Sequence, residues 1–240
     1  MSCQAEQGGM ERTHQPFPSA TELGGNLNMP LTRLHDCTTG QAPVYYYVIA
    51  SMRKRNGKFV QIGCGPNFQG GLITLCTCKH RMRSFLDPDQ WNGIWIAGFT
   101  SSPVGDEKNF LIYLMRVAHA FGSQRDLWFS AAIPAAVKQA KAAHRNRLGD
   151  LYKPHSKGID PWDPDGYVPP CPNHRHAEGW PTDIDYEGVG ARRAALLVGD
   201  PHQSFLWNRP MIYCAERLPR GQKKSKLDDL LAQLKTGETS

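Results

Sequence analysis

Hydrophobic positions in this chain fall mostly into short runs rather than helical stripes. Val44–Ala50 (Val-Tyr-Tyr-Tyr-Val-Ile-Ala) is β-branched and aromatic throughout, which predicts a strand buried on both faces. A basic turn with an Asn56-Gly57 corner follows, and Phe59–Ile62 reads as the returning strand of a hairpin. Leu72–Cys78, Ile94–Phe99, Phe110–Ala118 and Ala194–Gly199 are further strand-like runs, with Phe205–Trp207 and Met211–Tyr213 close behind the last. Arg116, inside the most strand-like of these runs, must reach solvent, a carboxylate or a ligand, because an unpaired buried cation is costly.

Two stretches carry helical spacing. Pro134–Leu148 is alanine-rich, with Pro134 suited to a first turn and Gly149 to a stop. Val137, Ala140, His144 and Leu148 share one face, while Lys138, Lys141 and Arg145 make the others basic. The basic faces suit either solvent or a nucleic-acid backbone. Near the C-terminus, Ser225 is placed as the N-cap of a helix over Lys226–Lys235, with Leu227, Leu230, Leu231 and Leu234 in one stripe. That stripe docks on the domain or on a protein partner.

These elements predict an α+β fold: a curved, mainly antiparallel sheet or partial barrel with a few helices on one side. Residues 1–42 lack periodicity and read as a flexible leader, with Met10 and Met29 as alternative starts. Residues 43–215 form the predicted domain, and 216–240 a basic linker with the short helix. Residues 149–190 form a long aperiodic loop whose tryptophans and tyrosines argue for an ordered cover over a site.

Composition narrows the function classes. A chain of 240 residues with a net charge of +6 favours an anionic partner, and nucleic acid is the commonest. No apolar run reaches membrane-spanning length and no secretory h-region is present, so the expected compartment is the cytoplasm. Seven cysteines at irregular spacing suggest reduced thiols. Walker, dinucleotide-binding and nucleophile-elbow motifs are missing, which argues against nucleotide-hydrolysing motors and hydride transfer. Asp160, Asp163 and Asp165 make a poor calcium loop, because Pro161 and Pro164 interrupt it.

Three groups could carry chemistry. Gly63–Gly71 is a glycine-rich loop followed by a strand and a basic exit, an arrangement able to hold an anion. Asn67, Gly70, Gly71, Lys79 and Arg83 are its candidate binding residues, with Arg116 alongside. Asp150, Tyr152 and His155 lie within six positions and are all competent for proton transfer, although a helix stop with a capping Asp explains them equally. Cys76, Cys78, Cys171, His174 and His176 have zinc-ligand chemistry, but their spacing fits no standard zinc pattern and strand cysteines are more often small core residues.

In order along the chain, the tyrosine-rich first strand, Gly65-Pro66-Asn67 with Gly70-Gly71, Thr74-Leu75, Cys78-Lys79 with Arg83, Gly93…Trp95-Ile96…Gly98, Tyr113…Met115-Arg116-Val117 and Gly149-Asp150…Tyr152 resemble the second nucleotide modification associated domain family of bacteria and phages. The resemblance covers about Tyr45 to Pro210. It departs at Ile94, where the family commonly has Asp, and at His80, where it commonly has Pro. It implies a protein that acts on, or handles, a modified base in nucleotide or DNA form. On that reading the glycine loop binds phosphate and base, Asp150 and His155 transfer protons, and Tyr152 stacks or donates. The alternative is a non-catalytic, PUA-like reader of modified bases, with aromatics such as Trp95 and Trp162 forming its pocket.

Overall fold

The computed structural model describes residues 14–38 and 40–237. Within them the chain divides into two compact units, each assembled from three segments. Unit 1 takes 14–15 with 63–92 and 119–198; unit 2 takes 16–62, 93–118 and 199–237.

Unit 2 holds most of the strands. β1 (Pro43–Val48), β5 (Trp95–Phe99), β6 (Asn109–Phe121), β8 (Ile212–Cys214), β9 (Lys223–Lys226) and β10 (Leu234–Thr236) run in the order β10-β8-β6-β5-β1-β9. Every neighbouring pair is antiparallel except β1 with β5, which is parallel. The fold is therefore α+β with a curled, mainly antiparallel sheet, as the hydrophobic runs predict. A flat sheet of six strands would put its edges about 24 Å apart at ~4.8 Å per strand. Here the edge strands β9 and β10 are joined by α6 (Leu227–Ala232), six residues long and so only about 9 Å. The sheet must curl for so short a helix to reach.

The same geometry corrects two expectations. Leu227, Leu230, Leu231 and Leu234 are 0–4% exposed and lie in the core with Val44, Trp95 and Leu114. They are not available to a protein partner. The basic linker is itself partly β9, and α6 starts after Lys226 rather than Ser225. The expected leader is also wrong for its described part. α1 (Leu31–Cys37) buries Leu34, Met29 packs in the same core, and Met29 O accepts a bond from Trp207 Nε1 at 2.8 Å. Residues 1–13 lie outside the described part.

β2 (Met52–Arg55) and β3 (Lys58–Gln61) form a separate two-stranded ribbon. It is the hairpin expected around Asn56-Gly57, and both turn residues have positive φ.

Unit 1 is poorer in regular structure. β4 is only Thr74–Leu75, paired with Val198 and Leu197 at the start of β7 (Leu196–Leu206). The strand expected over 72–78 stops early because the carbonyls of Cys76 and Cys78 turn to the Arg83 guanidinium instead of a neighbouring strand. Its helices are α2 (His80–Arg83), α3 (Gln124–Phe129), α4 (Ala135–Lys141) and α5 (Trp180–Asp185). α4 is half the predicted length. The Lys141 carbonyl accepts the amides of Asp150 and Leu151, which takes it out of any further helical ladder.

Candidate functional site

The glycine loop and the Gly149–His155 turn do meet, and both belong to unit 1. Thr74 Oγ1 donates to Asp150 Oδ2 at 2.7 Å, and Asn67 Nδ2 donates to the Leu148 carbonyl at 2.9 Å. The meeting is internal to the protein. Asn67 is fully buried, its Oδ1 accepting from Lys141 Nζ at 2.8 Å and from the Gln69 amide at 2.9 Å. Such an Asn has no edge left for a base or sugar. A Cβ on Gly70 would sit 3.2 Å from Val137 Cα, so that glycine lets α4 approach the loop. With Gly71, also at positive φ, it forms a tight turn packed against α4.

Arg83 is corrected for a similar reason. It is fully buried, and its guanidinium donates to the carbonyls of Cys76, Cys78, Ala194 and Ala195. This is a structural clamp between α2 and the residues that lead into β7, and its full burial keeps it from phosphate. Arg116 belongs to unit 2, is exposed, and donates to Gln203 Oε1 at 3.0 Å. Lys79 is half-buried in a left-handed conformation at the N-cap of α2.

The three proton-transfer candidates separate. Asp150 is fully buried, and burial pushes its carboxyl up while nearby Lys141 pulls the other way. Burial lowers Lys141 to about 8. His155 is exposed, its amide bonded to the Gly166 carbonyl. Asp150 meets the buried Cys76 thiol, and Tyr152 meets a second carboxylate. Tyr152 OH donates to Asp183 Oδ2 at 2.7 Å.

Asp183 is the centre of the site. Its side chain is 3% exposed at the middle of α5, and two imidazoles converge on it. His176 Nδ1 lies 3.0 Å from Oδ2, and His80 Nε2 lies 2.8 Å from Oδ1. The His80 approach is off-axis, an ion-pair contact by distance but not an aligned hydrogen bond. Burial alone would raise the Asp183 carboxyl, but the contacts from His176 and His80 overcome it and hold it below its usual value. The same carboxylate raises His176, whereas burial dominates at His80 and lowers it. One carboxylate thus holds two histidines with opposite proton preferences.

A second layer fixes these groups. His174 Nε2 is 2.9 Å from the Gly149 carbonyl, and its Nδ1 accepts the His176 amide at 3.0 Å, which assigns a neutral Nε2–H tautomer. Cys64 Sγ lies 3.8 Å from the same Nε2. Burial raises that thiol, so Cys64 is no activated nucleophile. The His80 ring lies on Tyr186 with centroids 4.9 Å apart. Asp183 opens on a small recess whose lining includes Trp162, Tyr186, Arg193 and Gln124. The Arg193 guanidinium sits 5.0 Å over the Trp162 ring.

Sequence inspection finds His174 and His176 as zinc-type residues and misses Asp183. Among the described residues no group of three or more His, Cys, Asp or Glu is arranged to hold a metal. Cys37, Cys64, Cys76, Cys78 and Cys214 are free, but Cys171 is disulfide-bonded, against the expectation of thiols throughout. Trp95 lies in the unit 2 core, stacked on Phe205, so it is no pocket wall, whereas Trp162 does line the recess. Protein-family models, curated proteins and solved structures all give no match to this chain. No helix among the described residues is long and apolar enough to cross a membrane.

Proposed function

We propose that this protein carries out acid–base chemistry on a modified nucleobase, presented as a nucleotide or within DNA. The observation that carries the proposal is the buried Asp183 carboxylate, shared by His80, His176 and Tyr152, in a residue that lines a small recess together with Trp162 and Tyr186. Two titratable groups with opposed environments are the mark of a general acid and a general base. His80, kept neutral by burial, takes a proton from the substrate, and His176, kept protonated by Asp183, gives one. Asp183 and Tyr152 are positioning residues: the carboxylate orients both rings, and the phenol fixes the carboxylate. The recess, about 10 Å³, holds no more than a water, so a base would lie across its rim, where Trp162 and Tyr186 supply aromatic surface and Arg193 an adjacent positive charge. His80, one of the two positions at which the resemblance departs from its family, becomes the base in this arrangement.

The test is nucleoside mass spectrometry after incubating the full chain with nucleotides and with plain and base-modified DNA. Turnover that drops about 100-fold or more in His176→Gln and Asp183→Asn, with both variants folded, is the expected result. Turnover unchanged in both variants would show that the chemistry lies elsewhere. Selective binding of the modified base with no turnover would favour the reader, for which Trp162 in the recess is the supporting observation.

A further inference from the structure

The ribbon of β2 and β3 has an anchored base and a charged tip. At the base, Met52, Phe59 and Gln61 are 0–1% exposed, the Phe59 amide donates to the Asn208 carbonyl at 2.8 Å, and the Phe59 ring packs on Phe110 at 5.8 Å. All of these lie in unit 2. Beyond that anchor, residues 53–58 read Arg-Lys-Arg-Asn-Gly-Lys, with no acid among them, and all six are exposed. Lys54 pairs with Asp106. Arg53 Nη1 donates to the Ala50 and Met52 carbonyls. Arg55 and Lys58 stand directly opposite each other in the register, and neither has an acidic partner among the described residues.

Like charges directly opposed across two strands destabilise a hairpin. A solvated ribbon tip of this kind would gain from any alternation of sign, and this one has none. Two strands in isolation are marginal even without repulsion, so the buried anchor offsets a cost that the tip imposes. Such a tip suits an anion that can neutralise both side chains together. A two-stranded ribbon also has the width that the major groove of B-form DNA admits, about 12 Å. An anionic membrane is the weaker fit, because surface-lying segments bury an apolar face. The large exposed hydrophobics among the described residues, Phe129 and Val189, both belong to unit 1.

We infer that the β2–β3 ribbon is a DNA-contacting arm, with Arg55 and Lys58 on phosphates and the Asn56-Gly57 tip directed into a groove. This rests on the nucleic-acid side of the proposed function and sharpens it: the substrate base is then part of a duplex, not a free nucleotide.

Fluorescence polarisation of a labelled 20-base-pair duplex, titrated with the full chain across a salt series, tests it. Wild type should show log K falling linearly with log salt, and Arg55→Gln/Lys58→Gln should lower that slope by about 2 and weaken binding at least tenfold at low salt. The control is Lys153→Gln/Lys157→Gln, which removes the same charge from exposed positions of unit 1. Equal losses in both double variants would reduce the effect to net charge and overturn the inference, as would unchanged binding in the ribbon variant. No duplex binding by wild type, or tighter binding to phosphatidylserine vesicles than to DNA, would also overturn it. Free-nucleotide turnover without duplex binding would sink the arm and leave the acid–base site standing. Ribbon-dependent binding without any turnover would do the reverse.

Discussion

At the level of single residues, the interior of unit 1 contains more charge than a small core normally holds. Arg83, Lys141, Asp150 and Asp183 are all buried, and each is matched differently. Arg83 is matched by carbonyls, Lys141 by an asparagine, Asp150 by a threonine hydroxyl, and Asp183 by two imidazoles and a phenol. Only the last set combines titratable partners with a recess. Asp150 can be separated from a catalytic role by substitution. Asp150→Asn keeps the acceptor for Thr74 Oγ1, so stability and turnover should stay near wild type. Asp150→Ala orphans that buried hydroxyl and should cost about 2 kcal/mol in urea unfolding. Loss of turnover in a stable Asp150→Asn protein would return the carboxyl to the mechanism. The two histidines give a pH signature. A neutral His80 and a protonated His176 are both required, so kcat/KM should be bell-shaped. Its acid limb should lie below the usual histidine value of 6.5 and its alkaline limb above it. His176→Gln should remove the alkaline limb from whatever activity remains. A single limb centred on 6.5 in the wild type would contradict the assignment.

Elements were legible in the chain to the extent that side-chain burial alone decides them. β1, β5 and β6 are buried on both faces over most of their length, and their apolar runs announce it. Where a polar group takes over a carbonyl, the pattern misleads. The end of α4 is written in the amides of Asp150 and Leu151, and the end of β4 in the Arg83 guanidinium, side-chain and loop contacts that no hydrophobic period records. The C-terminal stripe was legible as apolar but not as closure. Its four leucines look the same whether they face a partner or this chain's own core, and the flanking lysines give no hint of pairing with β1. The structure makes a checkable claim here. Leu231→Ala should cost about 2–5 kcal/mol by urea unfolding, the cost of an emptied core site. A change below about 0.5 kcal/mol would mean that the stripe is a surface after all.

On the scale of the whole chain, sequence order and spatial grouping part company. Each unit collects residues from three separated segments, so no composition shift marks a boundary and a domain reading from composition sees one body. The candidate site suffers from the same dispersal. His80, Tyr152, His174, His176 and Asp183 span about a hundred positions, and a loop without periodicity carries most of them. What the sequence does show is the chemistry of the individual residues and the aromatic weight of that loop. Asp183 escapes notice because an acid in Thr-Asp-Ile-Asp-Tyr reads as ordinary loop polarity. Its importance comes from His80, which lies more than a hundred residues earlier.

The short helix between β9 and β10 has a consequence for synthesis. During translation, β1, β5, β6 and β8 all leave the ribosome before the two strands that flank them. Residues 223–236 supply both edges of the sheet together with leucines of its core. Until they emerge, β1 and β8 each present a bare edge to their surroundings, and exposed edges recruit other strands. The nascent chain therefore carries an aggregation hazard until that one segment has docked, and a chaperone that shields strand edges should matter most to it before residues 223–236 pair.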